Sequence, residues 1–279
     1  MSYKIVVDSC CELPEELKHD SRYEIVPLTL LVGDSYERLD DATFDQKEFL
    51  QAVAQSPESP KSACPSPEKY MEAYRTPADH VYVVTLSSKL SGSYNSAVLG
   101  KNLYHETYGE KQIYVVDSRS ASCGETQIAM QIAAWEDEGM SYEEITERIE
   151  KFTDEMHTYF VLDNLDTLRK NGRLSGVKAL VASTLSIKPI MAGDHGSIVQ
   201  IGQSVGIKKA LAKMAEHVVR DVAEPEKKCL MITHCNNPDR ANSVKEQILA
   251  KVKFKDVLIM DTAGISSMYA NDGGVIVTA

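Results

Sequence analysis

Residues Thr85 to Ala97, TLSSKLSGSYNSA, set five serines and a glycine directly behind the apolar run HVYVVT. Small hydroxyls at a strand-to-helix junction suit the holding of an anion. A helix start carries partial positive charge and unpaired N–H groups. Ser91 is placed as the N-cap, Gly92 lets a ligand approach the backbone, and Ser93 opens a helix predicted to run to about Tyr104. Ser62 supplies a second hydroxyl from the proline-rich stretch SPESPKSACPSP, Ser56 to Pro67, which cannot continue a helix and reads as a pinned or mobile loop. Phosphate and carboxylate use the same donors. These residues alone leave two occupants open: an organic acid held by a binding protein, or a sugar phosphate or nucleotide held by an α/β enzyme with the SSKLSGS loop as its cradle.

Other chemistry has less support. Cys10, Cys11, Cys64, Cys123, Cys229 and Cys235 lack zinc spacing and a compact disulfide framework, and read as reduced thiols. Cys64 or Cys123 would need a base and an electropositive setting to act as a nucleophile. His234, in THCNNPDRA, reads as a turn residue capping backbone. The acids of DSC, DSR and DNL sit at strand ends, where Asp commonly caps the next element. Phosphate-loop, dinucleotide and zinc-helix motifs do not occur. The expectation is therefore no catalytic residue, no metal and no cofactor.

The elements that must position these residues follow from apolar runs closed by turn residues: YKIVVDS, HVYVVTLSS, QIYVVDSRS and KCLMITHCN. Each precedes a helical segment, which predicts a layered α/β fold. Ligands in such sheets lie beyond the carboxyl ends of the strands. DSC at Asp8, SSKLSGS at Ser87 and DSRSAS at Asp117 are thus expected on one rim. EIVPLTLLVGDSYERLDD reads as a hairpin turning near Gly33, and a long helical stretch is expected from about Glu125 to Asp154. The fold class is α/β in two domains: a Rossmann-like parallel-sheet domain over residues 1–155 and a two-layer α/β domain over 156–279. Ile207, Ala210, Leu211, Met214, Ala215 and Val218 keep the spacing of a core-facing helix.

The chain has 279 residues, 43% of them hydrophobic, and a net charge of −11. That charge has the wrong sign for nucleic acid or an anionic membrane. No apolar run nears the roughly 20 residues that span a bilayer, so membrane contact is expected to be transient at most. The start, MSYKIVVDSC, enters a strand pattern with no secretory signal, and the expected location is the cytoplasm.

KIVVDSCCELP, KSACPSPEKYMEAY, TLSSKLSGSYNSA, VVDSRSASCG, LDTLRKNGRLSG, SIKPI and GIKKAL, in this order, resemble the DegV family of bacterial fatty-acid-binding proteins. The resemblance covers nearly the whole chain. It implies two α/β domains with a long-chain fatty acid buried between or beneath them, its carboxylate held by hydroxyls. Some members serve as subunits of bacterial fatty acid kinase, presenting the acid to a separate ATP-binding subunit that makes an acyl phosphate for phospholipid metabolism. The head-group hydroxyls then fall on Ser62, where the family commonly has Thr, and Ser91, with Gly92 and Ser93 beside them. Ala63 and Cys64 replace the usual Ser and Gln. Arg173 in NGRLSG matches the family's arginine at the kinase encounter. The family's H-T-G-P-G pattern is replaced by SSMYANDGGVIV, leaving Tyr269 or Asn271 to stand for its histidine. In VKALVASTLSIKPIM, the residues Ala179, Ala182, Leu185 and Ile187 are conceivable walls for the acyl chain. A third reading, a regulatory protein with an adventitious lipid site, is separated by assaying acyl-phosphate formation.

Overall fold

The structure, a computed structural model, describes residues 2–175, 177 and 186–279. The chain begins β1 (Tyr3–Asp8), α1 (Glu15–Lys18), β2 (Tyr23–Val26), β3 (Thr29–Val32), β4 (Tyr36–Leu39), α2 (Gln46–Gln55) and β5 (Lys61–Ala63). It continues α3 (Pro67–Ala73), β6 (His80–Thr85), α4 (Ser93–Tyr108), β7 (Gln112–Asp117), α5 (Cys123–Asp137) and α6 (Tyr142–Glu155). Then come β8 (Thr158–Val161), α7 (Asp166–Lys170), β9 (Ile187–Asp194), β10 (Ser197–Val205), α8 (Ile207–Asp221) and β11 (Cys229–His234). The last elements are α9 (Pro238–Leu249), β12 (Asp256–Asp261), α10 (Gly264–Ala270) and β13 (Val275–Thr278).

Continuous apolar runs form strands buried on both faces. β2, β1, β6 and β7 make a parallel sheet in that order, and every residue of β6 is buried. Ile5, Val7, Tyr82 and Val84 face α5 and α6, while Val6, Val81 and Val83 face α3 and α4. The carboxyl ends of β1, β6 and β7 therefore share one rim, with Thr85 opposite Asp117.

The run KCLMITHCN joins a different sheet. Its order is β10-β9-β8-β13-β11-β12, with β11 and β12 parallel and the other pairings antiparallel. β13, last of the described strands in the chain, lies between β8 and β11. Tyr159 and Val161 point to one face, where α8 buries Ala210, Leu211, Met214, Ala215 and Val218. Phe160 and Leu162 point to the other.

Two sequence expectations change, and a third, left open, is decided. The stretch from Glu125 to Asp154 is two helices, because Gly139 turns the chain at φ +82 and Ser141 starts α6 with a capping box to Glu144. The hairpin is β3–β4 with Gly33 at φ +54, whereas Glu24-Ile25-Val26 belongs to the parallel sheet, the break falling at Pro27. The proline-rich loop is pinned: Lys61–Ala63 pairs with β3 in a small β4-β3-β5 sheet, placing Ser62 opposite Leu30. Ala179, Ala182 and Leu185 lie outside the described residues, and Ile187 is half-buried at the start of β9.

Candidate functional site

The rim of the parallel sheet and the Phe160 face of the mixed sheet enclose a cavity of about 840 Å³, its opening included. Leu28, Leu86 and Leu90 line it from the first half of the chain, and Phe160, Ile198 and Ile276 from the second. α10 adds Ile265, Ser266 and Tyr269.

Ser62 and Ser91 both line this cavity, although 28 positions separate them in sequence. Each is half-buried. Ser62 is held by the β3 ladder, and its hydroxyl has no partner among the described residues. Ser91 Oγ accepts the Ser93 N–H at 3.2 Å, which leaves its own proton to donate. The N-cap of α4 is Gly92, one residue beyond the expected Ser91. A Cβ on Gly92 would stand 3.1 Å from Cys64 Sγ, so glycine lets the Ser62 strand approach the helix start. Gly92 itself is not on the cavity lining.

Ser93 turns inward, contrary to its expected place among the head-group hydroxyls. Its buried Oγ donates to Asp8 Oδ2 at 2.5 Å and lies 2.5 Å from the Tyr70 hydroxyl. Asp8 also accepts the Leu86 N–H at 2.8 Å and the Cys10 N–H at 3.0 Å. This one carboxylate ties together the ends of β1 and β6 and the start of α4. Burial pushes its carboxyl up, and the bonds from Ser93 and Leu86 hold it down in part. Asp117 has the same office, accepting from Ser88 N, Ser88 Oγ and Arg119 N. Asp8 and Asp117 are thus occupied in shaping the rim.

Two arginines lie on the lining, which a head-group site of hydroxyls alone did not anticipate. Arg119, in a left-handed turn at φ +51, pairs with Glu150 and Asp154. Arg173 is half-buried and has no acidic partner among the described residues. Its Nε donates to Leu90 O at 3.0 Å, its Nη1 donates to Asn171 O at 2.5 Å, and its guanidinium lies 5.8 Å from the Tyr269 ring centre. A surface ion pair is therefore not its role.

Tyr269 lines the cavity, but Asn271 does not. Asn271 ends α10 at φ +57, and its Nδ2 donates to Tyr269 O at 3.0 Å. His234 caps backbone, accepting the Asn237 N–H at Nδ1, and stands outside the cavity lining. All six cysteines are free thiols. Cys123 is buried with its thiol pushed up to about 12, chiefly by desolvation, so it is no nucleophile near neutral pH. Cys64 is exposed. Among the described residues no cluster of three metal-ligating side chains occurs, and no helix is long and apolar enough to cross a membrane.

Sequence reasoning missed Arg119, Thr158 and Ser266 on the lining. Thr158, Phe160 and Leu162 share a face by strand alternation, a signal present in HTYFVLDN, but which face meets the cavity is set by tertiary packing.

Fold and site together define an α/β protein built around a mainly apolar cavity with hydroxyls and two arginines on its lining. A family model described as an uncharacterised protein of the DegV family matches residues 2–278, and the chain belongs to the DegV family. A DegV domain-containing protein of Streptococcus pyogenes serotype M3 is 34% identical over 99% of this chain and 98% of its own length. A crystal structure of a DegV family protein from Ruminococcus gnavus, described with vaccenic acid, is 52% identical with a TM-score of 0.97, covering 100% of this chain and 99% of that one. The fatty acid kinase (Fak) B3 protein of Streptococcus pneumoniae, loaded with linoleic acid, is 30% identical with a TM-score of 0.87 over 100% of this chain and 99% of its own.

Proposed function

We propose that this protein is a cytoplasmic carrier of a long-chain fatty acid and not itself a catalyst. Residues 1–155 supply the head-group loops and residues 156–279 most of the acyl wall. The observation that carries this reading is a mainly apolar cavity on which two hydroxyls with free protons, Ser62 and Ser91, accompany an arginine that has no carboxylate of its own. The lipid-loaded relatives support it.

The magnitudes agree. Burying a methylene is worth roughly 0.8 kcal/mol, so about fourteen give on the order of 11 kcal/mol before the costs of association. The tail supplies affinity. A carboxylate leaving water needs charge-assisted hydrogen bonds, each worth roughly 1.5–3 kcal/mol, and Ser62, Ser91 and Arg173 provide them. A sugar phosphate would meet leucine, isoleucine and phenylalanine where it needs polar partners.

Native mass spectrometry of the protein purified from cells should find a co-purifying long-chain acid. Apo protein alone, with no thermal stabilisation by oleate or palmitate, would overturn the reading. Presentation of the acid to a kinase is the finer proposal, supported by the name of the pneumococcal relative. It is checked by acyl-phosphate formation with a bacterial fatty acid kinase and ATP, a demanding test because no histidine lies between Asp261 and Ala279.

A further inference from the structure

Behind the cavity lining lies a carboxylate that the grip on a lipid does not require. Glu12 follows β1 and is 4% exposed. Its Oε2 accepts the Ser122 hydroxyl at 2.6 Å and its Oε1 accepts the Ala263 N–H at 3.2 Å. Ser122 stands before α5, Ala263 and Ser266 stand at the start of α10, and both serines line the cavity. Ser122 Oγ lies 2.7 Å from Thr233 Oγ1 on β11. One side chain thus ties two walls of the cavity and reaches a third element. Ser122 is held at φ 59, ψ −133, a conformation that a residue with a side chain adopts only when its surroundings enforce it.

Among the described residues, the titratable groups set against Glu12 offer it no counter-charge. They are Asp40 beyond β4, Cys10 and Cys11 beyond β1, and Cys123 and Glu125 on α5. Each is an acid or a thiol. Desolvation accordingly raises the Glu12 carboxyl to about 7, against the lowering effect of its hydrogen bonds.

We propose that lipid binding in this cavity is coupled to protonation of Glu12, which acts as a positioning residue between α10 and the loop before α5. This rests on the fatty-acid reading above. A hydrocarbon tail over Ser122 and Ser266 removes water from the neighbourhood of an uncompensated carboxylate, and that favours the neutral acid. One proton passes from solvent to a Glu12 oxygen as the lipid enters. The acid keeps its partners: the carbonyl oxygen accepts from Ala263, and the new O–H donates to Ser122 Oγ, whose own proton turns to Thr233. By reciprocity, proton uptake tightens the hold on lipid and ionisation loosens it. Affinity is therefore higher near pH 6 than near pH 8.

The test is calorimetric titration of the full chain with oleate and with dodecan-1-ol, whose head does not titrate, in two buffers of different ionisation enthalpy. The expected result is uptake of a fraction of a proton per lipid near neutrality with either ligand. Affinity should drop roughly threefold to tenfold from about pH 6 to 8, up to one pKa unit of difference between free and loaded protein. Glu12→Gln preserves the contacts and should take up fewer protons with oleate, none with the alcohol, and lose the pH dependence toward the alcohol. No proton uptake by the wild type with the alcohol, or an unchanged proton count in Glu12→Gln, overturns the proposal. Should the variant not fold, the alcohol arm on the wild type decides. Should the alcohol bind too weakly, the oleate difference between wild type and variant decides. Wild-type protein that binds neither lipid at any pH defeats the fatty-acid reading instead.

Discussion

The Ser62–Ser91 side of the cavity and the wall around Glu12 use the same small alcohols for opposite ends. Ser62 and Ser91 reach their places from a short strand and a helix start, and neither hydroxyl donates its proton to a partner among the described residues. Ser93 and Ser122 stand within a few residues of the same rim or wall, yet their hydroxyls are engaged by Asp8 and Glu12. Identity and local sequence do not separate the two sets. What separates them is whether the chain brings a buried carboxylate of its own to the hydroxyl.

The contrast breaks if both regions respond alike to substitution. Asp8→Ala leaves the Leu86 and Cys10 N–H groups and the Ser93 hydroxyl without their acceptor. At about 1–3 kcal/mol for each buried polar group left unpaired, urea denaturation should show a loss of about 3–5 kcal/mol. A loss below about 1 kcal/mol would place Asp8 outside the supporting frame.

Next in size is a pH effect of unusual sign. Glu12 and Asp40 are raised to about 7 and about 6, so above roughly pH 4 these two groups bind more protons in the native chain than in the unfolded one. The stability these groups contribute is present below their unfolded values and is lost as pH rises through 6 and 7. The urea midpoint should fall between about pH 5 and 8, and Glu12→Gln should flatten part of that fall. A midpoint rising over this range in the wild type, unaltered in the variant, would contradict the assignment.

Ser62→Ala and Ser91→Ala should each weaken oleate binding about tenfold, the equivalent of one charge-assisted hydrogen bond. Their unfolding free energies should stay within about 1 kcal/mol of wild type. Competition with a fluorescent fatty acid measures the first quantity and urea the second. A large stability loss with unchanged affinity would move either serine to the supporting set. The smallest effect belongs to Tyr269→Leu, which removes the ring beside Arg173. A partly exposed contact of this kind is worth about 0.5–1 kcal/mol, so affinity should fall about threefold by the same titration.

Much of this was legible in the sequence where a rule acts locally. The apolar runs ending in DS, TLSS and DS specified parallel strands and one shared rim, because full burial demands unbroken apolar residues and ligand loops follow strand ends. Ser62 and Ser91 were legible as hydroxyls on constrained loops. Ser93 was not, since its neighbours are as polar as those of Ser91, and only the distant Asp8 and Tyr70 decide where it points. Gly139 carried the signal of a helix break and was read through, its neighbours being good helix formers. Glu12 lies in SCCELP, where nothing local announces that Ser122 and Ala263, more than a hundred positions away, will meet it.

The placement of β13 between β8 and β11 bears on how the molecule is made. Ribosomes deliver Val275 to Thr278 after every other described strand, yet these residues fill a seam in the middle of their sheet. A nascent chain halted before Val275 holds two unzipped half-sheets and lacks Ile276 from the cavity lining. Translation must therefore pass this point before the compartment for a guest can close, and until then raw strand edges invite mispairing.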